Sequence, residues 1–296
     1  MLKLGFRAHD LGKQPLEQLA DSLERHGIAS IQLALAKALS DLPPDEIAFT
    51  PDYARTVRRT LDTHGVRIAV LGCYINPVHP DEALREKALR RFEDHIRVAD
   101  DFGCAIVATE TGSLNPDCSY NPATARPRTF DTLCSSLERL VNAAEQTDHV
   151  VVGVEAVATQ HTVDTIDKMA TLVKRLDSPH LGIVYDPVNL IPERGVPDQA
   201  AFFREALDAF GRKIIAVHLK DFKIVNGKKV GNLPALSGDL DTGTLFRLLQ
   251  LTNPDLDVLL ENCNSGTIDA TLAALQRYVV SPRNDILMPK GINGHY

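Results

Sequence analysis

Four side chains give this sequence its clearest chemistry: Glu155, Asp186, His218 and Glu261. Each ends a short apolar run, respectively Val150 to Val154, Leu181 to Tyr185, Ile214 to Val217, and Val258 to Leu260. The intervals between them are 31, 32 and 43 residues. A strand-helix unit of a barrel takes about 31 residues, so the first two intervals fit one unit each and the third must hold an insertion. Three carboxylates and one imidazole suit a single divalent metal ion, Mn²⁺ first, with Mg²⁺, Co²⁺ or Zn²⁺ as alternatives; no thiolate takes part to favour zinc. Any one of the four could instead be a helix cap, a loop hydrogen bond or a salt bridge. Together, three carboxylates converging without a cation would repel one another and be costly to bury.

The elements that must position them repeat along the chain. Apolar stretches predict strands at Leu2–Arg7, Ile28–Leu33, Val66–Cys73, Cys104–Glu110, Val150–Glu155, Leu181–Asp186, Lys213–His218 and Asp257–Glu261. Amphipathic spacing predicts helices over Pro15–His26, Pro51–His64, Pro80–Phe102, Phe130–Gln146, Val163–Leu176, Asp198–Phe210 and Ile268–Val279. Thr111 to Arg128 reads as a long Gly/Pro/Asn loop, of a length that is usually mobile or functional. Phe222 to Val230 reads as a hairpin turned at Asn226-Gly227. The expected fold class is α/β, a single (β/α)8 TIM barrel over residues 1–281 with a hairpin insertion near 222–232, then a C-terminal tail, 282–296. An open doubly wound sheet for a dinucleotide would need a Gly-rich turn after the first strand, which Gly5 to Asp10 does not supply. In a barrel of this kind the site lies at the C-terminal strand ends, where all four residues stand.

Composition is that of a globular enzyme: 296 residues, 44% hydrophobic and 24% charged. A net charge of −7 disfavours extended nucleic-acid binding, which rests on neutralised phosphates. Five cysteines without close pairing argue against a disulfide framework or a thiolate zinc cluster. No apolar run approaches the ~20 residues that span a bilayer, and the first residues lack a secretory pattern, so cytoplasmic residence is the expectation. Assembly into a homo-oligomer stays open.

Within this frame the strand ends Gly153-Val154-Glu155, Tyr185-Asp186-Pro187-Val188-Asn189, Val217-His218-Leu219-Lys220-Asp221, Ser237-Gly238-Asp239-Leu240-Asp241 and Leu259-Leu260-Glu261 resemble the xylose-isomerase-like superfamily, specifically its sugar phosphate isomerase/epimerase branch. The resemblance spans essentially the whole barrel. It implies that Glu155, Asp186, His218 and Glu261 bind one metal ion and that Glu155 and Glu261 also move protons. The implied substrate is a keto-sugar or related polyol, enolised beside a chelated carbonyl. Protonation on the opposite face then gives epimerisation, and protonation at the adjoining carbon gives isomerisation. A lyase or dehydratase acting on an oxidised sugar could use the same site. An abasic-site endonuclease would need further histidines, and a non-catalytic sugar-binding barrel would not need the full ligand set.

Around this set, strand alternation puts His218 and Lys220 on one face and Leu219 and Asp221 on the other. Lys220 is a candidate substrate contact, or a salt-bridge partner of a nearby carboxylate. Asn189 stands where the epimerases that this chain resembles often place a substrate-binding His. Glu110, His9 and Arg7, at other strand ends, are further candidate substrate contacts. Tyr74 could wall a sugar or pack in the core. Asn264 to Thr267 could cradle an anion or simply cap the last helix.

Overall fold

Runs of apolar residues bounded by polar loops form the expected parallel strands in the computed structural model, which describes residues 1–279. The tail expected at 282–296 lies outside the described residues. The strands are β1 (Lys3–Arg7), β2 (Ser30–Leu33), β3 (Arg67–Gly72), β4 (Ile106–Glu110), β5 (Val151–Glu155), β6 (Leu181–Tyr185), β7 (Ile214–Leu219), the hairpin β8 (Asp221–Val225) and β9 (Lys228–Leu233), and β10 (Asp257–Leu260). Eight of them close in the order β1-β10-β7-β6-β5-β4-β3-β2, parallel throughout. Closure leaves no sheet edge and excludes the open doubly wound alternative.

Helices Leu16–Arg25, Pro51–Thr63, Glu82–Val98, Pro127–Ala144, Ile166–Leu176, Gln199–Phe210, Thr242–Thr252 and Ile268–Val279 cover the outside. Thr50, Asp81, Thr165 and Asp198 each accept an amide hydrogen bond at a helix start, as N-cap residues do. The helix Thr242–Thr252 is an addition to the sequence reading: Thr-Gly-Thr opens it with poor helix formers. Asp241 compensates by accepting from the Thr244 amide at 3.0 Å. The long loop after β4 ends where the helix begins at Pro127, and Asn76, after β3, holds it: Asn76 Nδ2 donates to the carbonyls of Ser113 at 2.7 Å and Asn115 at 3.0 Å.

Side-chain alternation builds the barrel interior in layers. Val184, Ala216 and Leu259 lie two residues before Asp186, His218 and Glu261, and they cluster with Ala69, Val70 and Ala108 apart from the main core. Gly153, two before Glu155, keeps this layer narrow: a Cβ there would come within 2.9 Å of the Ala108 Cβ. An apolar floor thus lies directly beneath the polar layer. The hairpin turns at Asn226 and Gly227, with φ of 52° and 74°, the positive values that a two-residue turn requires.

Candidate metal centre

Glu155 closes β5, Asp186 follows β6, His218 lies in β7 and Glu261 follows β10, so parallel registry delivers all four to one rim. All are buried, and one ligand atom from each lies within 4.8 Å of the other three. His218 Nδ1 is 3.1 Å from Glu155 Oε2 and 3.1 Å from Glu261 Oε1, yet it makes no hydrogen bond to either. Its other nitrogen, Nε2, is hydrogen-bonded to Gln32 Oε1. A carbonyl oxygen only accepts, so Nε2 carries a proton, and Nδ1, which faces two carboxylates, is the position for a second proton or a metal ion. Gln32 is itself fixed, its Nε2 donating to the Tyr74 hydroxyl at 2.6 Å.

That arrangement suits a cation. Burial lowers the His218 pKa, but Glu155 and Glu261 outweigh it and raise the pKa to about 9. A proton and a metal would therefore compete for Nδ1. Asp186 Oδ2 is likewise buried without a hydrogen bond. Burial pushes the Asp186 carboxyl up, and the nearby Lys220 opposes that rise. With His218 Nδ1 and Asp186 Oδ2 buried among three carboxylates and making no hydrogen bond, the residues present fit a divalent ion.

Lys220 and Arg7 supply the positive charge that the structure itself provides. Lys220 Nζ lies 2.8 Å from Asp186 Oδ2 and donates to Glu261 Oε2 at 3.1 Å. Burial lowers the Lys220 pKa, and Asp186 and Glu261 more than reverse this, so it stays protonated. Arg7 Nη1 reaches Glu261 Oε1 at 2.8 Å, while Nη2 donates to Asp10 at 2.9 Å and to Asn262 Oδ1 at 3.2 Å. Burial raises the Glu261 pKa, but Lys220, His218 and Arg7 together hold it below the usual carboxylate range. Asn189 braces two candidate ligands: its Nδ2 donates to Glu155 Oε1 at 2.7 Å, and its backbone amide to Asp186 Oδ1 at 3.0 Å. Lys229, on the hairpin, donates to the Val188 carbonyl at 2.8 Å and also to that of Ile191, tying the insertion to this turn.

Above these residues opens a cavity of about 290 Å³, lined by Arg7, Glu110, Glu155, Asn189, Lys220 and Glu261 and also by Val157, Gln160, His161, Asn232 and Asn262. Glu110, its pKa raised by burial and then by Glu261, lies at the rim with His161 Nε2 3.8 Å from its Oε2. His9 and Tyr74 do not line this cavity. His9 packs edge-on against Tyr74 at 6.2 Å, and the Tyr74 ring lies beneath Lys37 Nζ, 3.7 Å from the ring centroid. Asn264 to Thr267 closes on itself, the Gly266 amide donating to Asn264 Oδ1 at 2.9 Å and the Asn264 amide to Thr267 Oγ1 at 3.1 Å. Asp221, on the face opposite to Lys220, accepts from the amides of Gly238 and Leu240, each at 2.9 Å.

Gln32, Asp10, Gln160, His161, Asn232 and Asn262 were not legible as site residues. Four are amides, which carry no charge signal, and Asn232 reaches the mouth only through the hairpin's path. A second group with donor atoms within 4.8 Å, Asp21, Glu24 and His64, lies on outer helices. No helix among the described residues is long and apolar enough to cross a membrane.

Residues 12–278 match the family model described as xylose isomerase-like TIM barrel. No curated protein matches the sequence. Among solved structures, a D-tagatose 3-epimerase-like protein superposes with a TM-score of 0.74 at 18% identity, over 94% of this chain and 97% of its own. An L-ribulose 3-epimerase gives 0.73 at 14% identity, covering 96% and 99%. The IOLI protein with a bound zinc atom gives 0.72 at 16% identity, covering 95% and 98%.

Proposed function

Because the chain belongs to the xylose isomerase-like TIM barrel family, we propose that it is a divalent-metal-dependent isomerase or epimerase of a keto-sugar or related polyol. The observation that carries this reading is the buried four-residue cluster in which His218 Nδ1 faces Glu155 and Glu261 without a hydrogen bond. Glu155, Asp186, His218 and Glu261 would hold the ion, with Mn²⁺ as the proposed metal on the strength of an oxygen-rich donor set. A divalent ion bound there would supply Lewis-acid stabilisation of the negative charge that develops as a carbon beside a ketone loses its proton.

The chain's own groups do the rest. Glu155 and Glu261 flank His218 Nδ1 and are the proposed base and acid, one removing the carbon proton and the other returning a proton. Asn189, by holding Glu155 Oε1, fixes which carboxylate oxygen is left to act. Lys220 Nζ is placed to donate to a substrate oxygen and to balance charge on Glu261. The mouth is small for a ligand pocket, whose usual range is roughly 300–1,000 Å³, and it suits a monosaccharide better than a nucleotide.

The test is incubation of Mn²⁺-loaded protein with ketoses and 3-keto-sugars in D₂O, followed by NMR. Deuterium is expected at a single carbon, with an epimer or isomer as product. Absence of exchange with every sugar, with metal binding verified by calorimetry, would overturn the reading. Glu155→Gln is expected to lower turnover by at least about 100-fold, as loss of a general base does.

A further inference from the structure

We propose that the substrate of this site is uncharged, a polyol or keto-sugar carrying neither phosphate nor carboxylate. The inference rests on the metal-dependent reading above and narrows it. Its basis is that the groups which would recognise an anion are already committed within the protein.

The cavity's two cations are both paired. Arg7 is within 2.9 Å of Glu261 and Asp10, and Lys220 within 3.1 Å of Asp186 and Glu261. Against them stand the lining carboxylates Glu110, Glu155 and Glu261 and the neighbouring Asp186, two more carboxylates than cations. A divalent ion cancels both of those charges and leaves no surplus positive charge at the mouth. An anionic substrate would enter without a partner for its charge. Lys37 has no carboxylate partner among the described residues, but it lies over the Tyr74 ring and does not line the cavity.

Backbone donors are also consumed. Barrels of this fold frequently grip phosphate with the loops after the last two barrel strands and an adjoining helix N-terminus. Here the loop after the hairpin spends its Gly238 and Leu240 amides on the buried carboxylate of Asp221. A Cβ at position 238 would lie 2.1 Å from the Phe222 carbonyl oxygen, so this grip requires glycine. In the loop after β10, the Asn264 and Gly266 amides are bonded to Thr267 Oγ1 and Asn264 Oδ1.

Neutral groups remain for the ligand. His161 Nδ1 is buried without a partner, and burial lowers this imidazole's pKa to about 4, which leaves it neutral at pH 7. The carboxamide of Asn232 makes no hydrogen bond among the described residues and lines the same cavity as His161. Amides and a neutral imidazole both donate and accept, as hydroxyls require.

The experiment compares one ketose, its terminal phosphate ester and the corresponding uronate on Mn²⁺-loaded protein, reading solvent deuterium uptake as kcat/KM. The neutral sugar is expected to be preferred by about 100-fold, the scale of leaving a buried charge without a partner. Preference for the phosphate or the uronate would overturn this inference while leaving the enolisation reading intact, the more so if Lys37→Ala abolished that preference. Were no compound to exchange, the enolisation reading would fail, and calorimetric binding of the same three compounds would decide this one. Binding of the neutral sugar alone supports it; binding of either anion, or no binding by the neutral sugar, overturns it. Asn232→Lys is expected to narrow the ratio about tenfold by returning a cation to the mouth.

Discussion

Two clusters in this protein are built from the same parts. Glu155, Asp186, His218 and Glu261 meet inside the barrel, and Asp21, Glu24 and His64 meet on its outer helices, both with donor atoms within 4.8 Å. In each, one histidine nitrogen is bonded to a neutral carbonyl oxygen and the other faces carboxylates. His218 uses Gln32 Oε1, and His64 Nδ1 uses the Thr60 carbonyl at 2.8 Å. The difference is water. The inner side chains are at most 6% exposed, whereas those of Asp21 and Glu24 are 64% and 61% exposed. Solvent screens the outer carboxylates, and they need no ion. The inner ones have Lys220, Arg7 and, at His218 Nδ1, a proton or a metal ion to offset them, and the cost of leaving such charges buried and unpaired is large. Residue types in proximity are therefore a weak sign of a metal centre. Burial together with a ligand atom that makes no hydrogen bond is a strong one.

The sharpest way to break this contrast is to remove Lys220. Without metal, Lys220→Met is expected to destabilise the protein by about 3–5 kcal/mol, since it strips a buried cation from Asp186 and Glu261. Urea unfolding with a chelator present measures this. Saturation with Mn²⁺ at a hundred times its Kd should restore about 2.7 kcal/mol. On the outer cluster Asp21→Asn should shift neither curve measurably, and an equal loss there would mean that burial is not what separates the two.

Metal affinity comes next. His218→Ala should weaken Mn²⁺ binding by more than about 100-fold in titration calorimetry, because supporting partners alone are worth 10–100-fold. Gln32→Leu should fall within that 10–100-fold range, since it frees the His218 ring without removing a ligand. His64→Ala should leave the affinity unchanged. Retained affinity in His218→Ala would move the centre elsewhere.

How far the sequence revealed all this follows from what each residue signals. The eight strands were legible because apolar runs recur at one strand-helix interval, and Asp186 and His218 were legible as charged ends to such runs. Arg7, Lys220 and Asn189 were legible as rim residues, but not as partners of Glu261, Asp186 and Glu155, because pairing depends on registry across the barrel. Gln32 carries the support of the only imidazole in the inner cluster. It sits mid-strand and uncharged, so nothing local distinguishes it from a core amide. Asn232 reaches the mouth on the second hairpin strand and His161 on the loop after β5, paths that periodicity does not encode. The outer cluster was equally silent, because helix spacing shows that Asp21 and Glu24 share a face but not that the end of a second helix delivers His64 beside them.

The smallest expected effect belongs to that outer histidine. The Thr60 carbonyl raises the His64 pKa above its ordinary 6.5, exposure limits the opposing effect of burial, and Asp21 and Glu24 add to the rise. A folded-state pKa above the unfolded one means that the native state binds the proton more tightly. The resulting stabilisation is fully present below about pH 6.5 and disappears as pH rises through the folded value. His64→Gln should therefore lower the melting temperature slightly at pH 5.5 and leave it unchanged at pH 8.5. By NMR, the His64 midpoint should lie above 6.5, fall in Asp21→Asn, and stay partly raised in high salt, because the carbonyl hydrogen bond is not screened as the carboxylates are. Mn²⁺ sufficient to saturate the inner cluster should leave the His64 resonances in place. Their displacement at that concentration would give the outer cluster an ion of its own and remove the distinction that burial is argued to make.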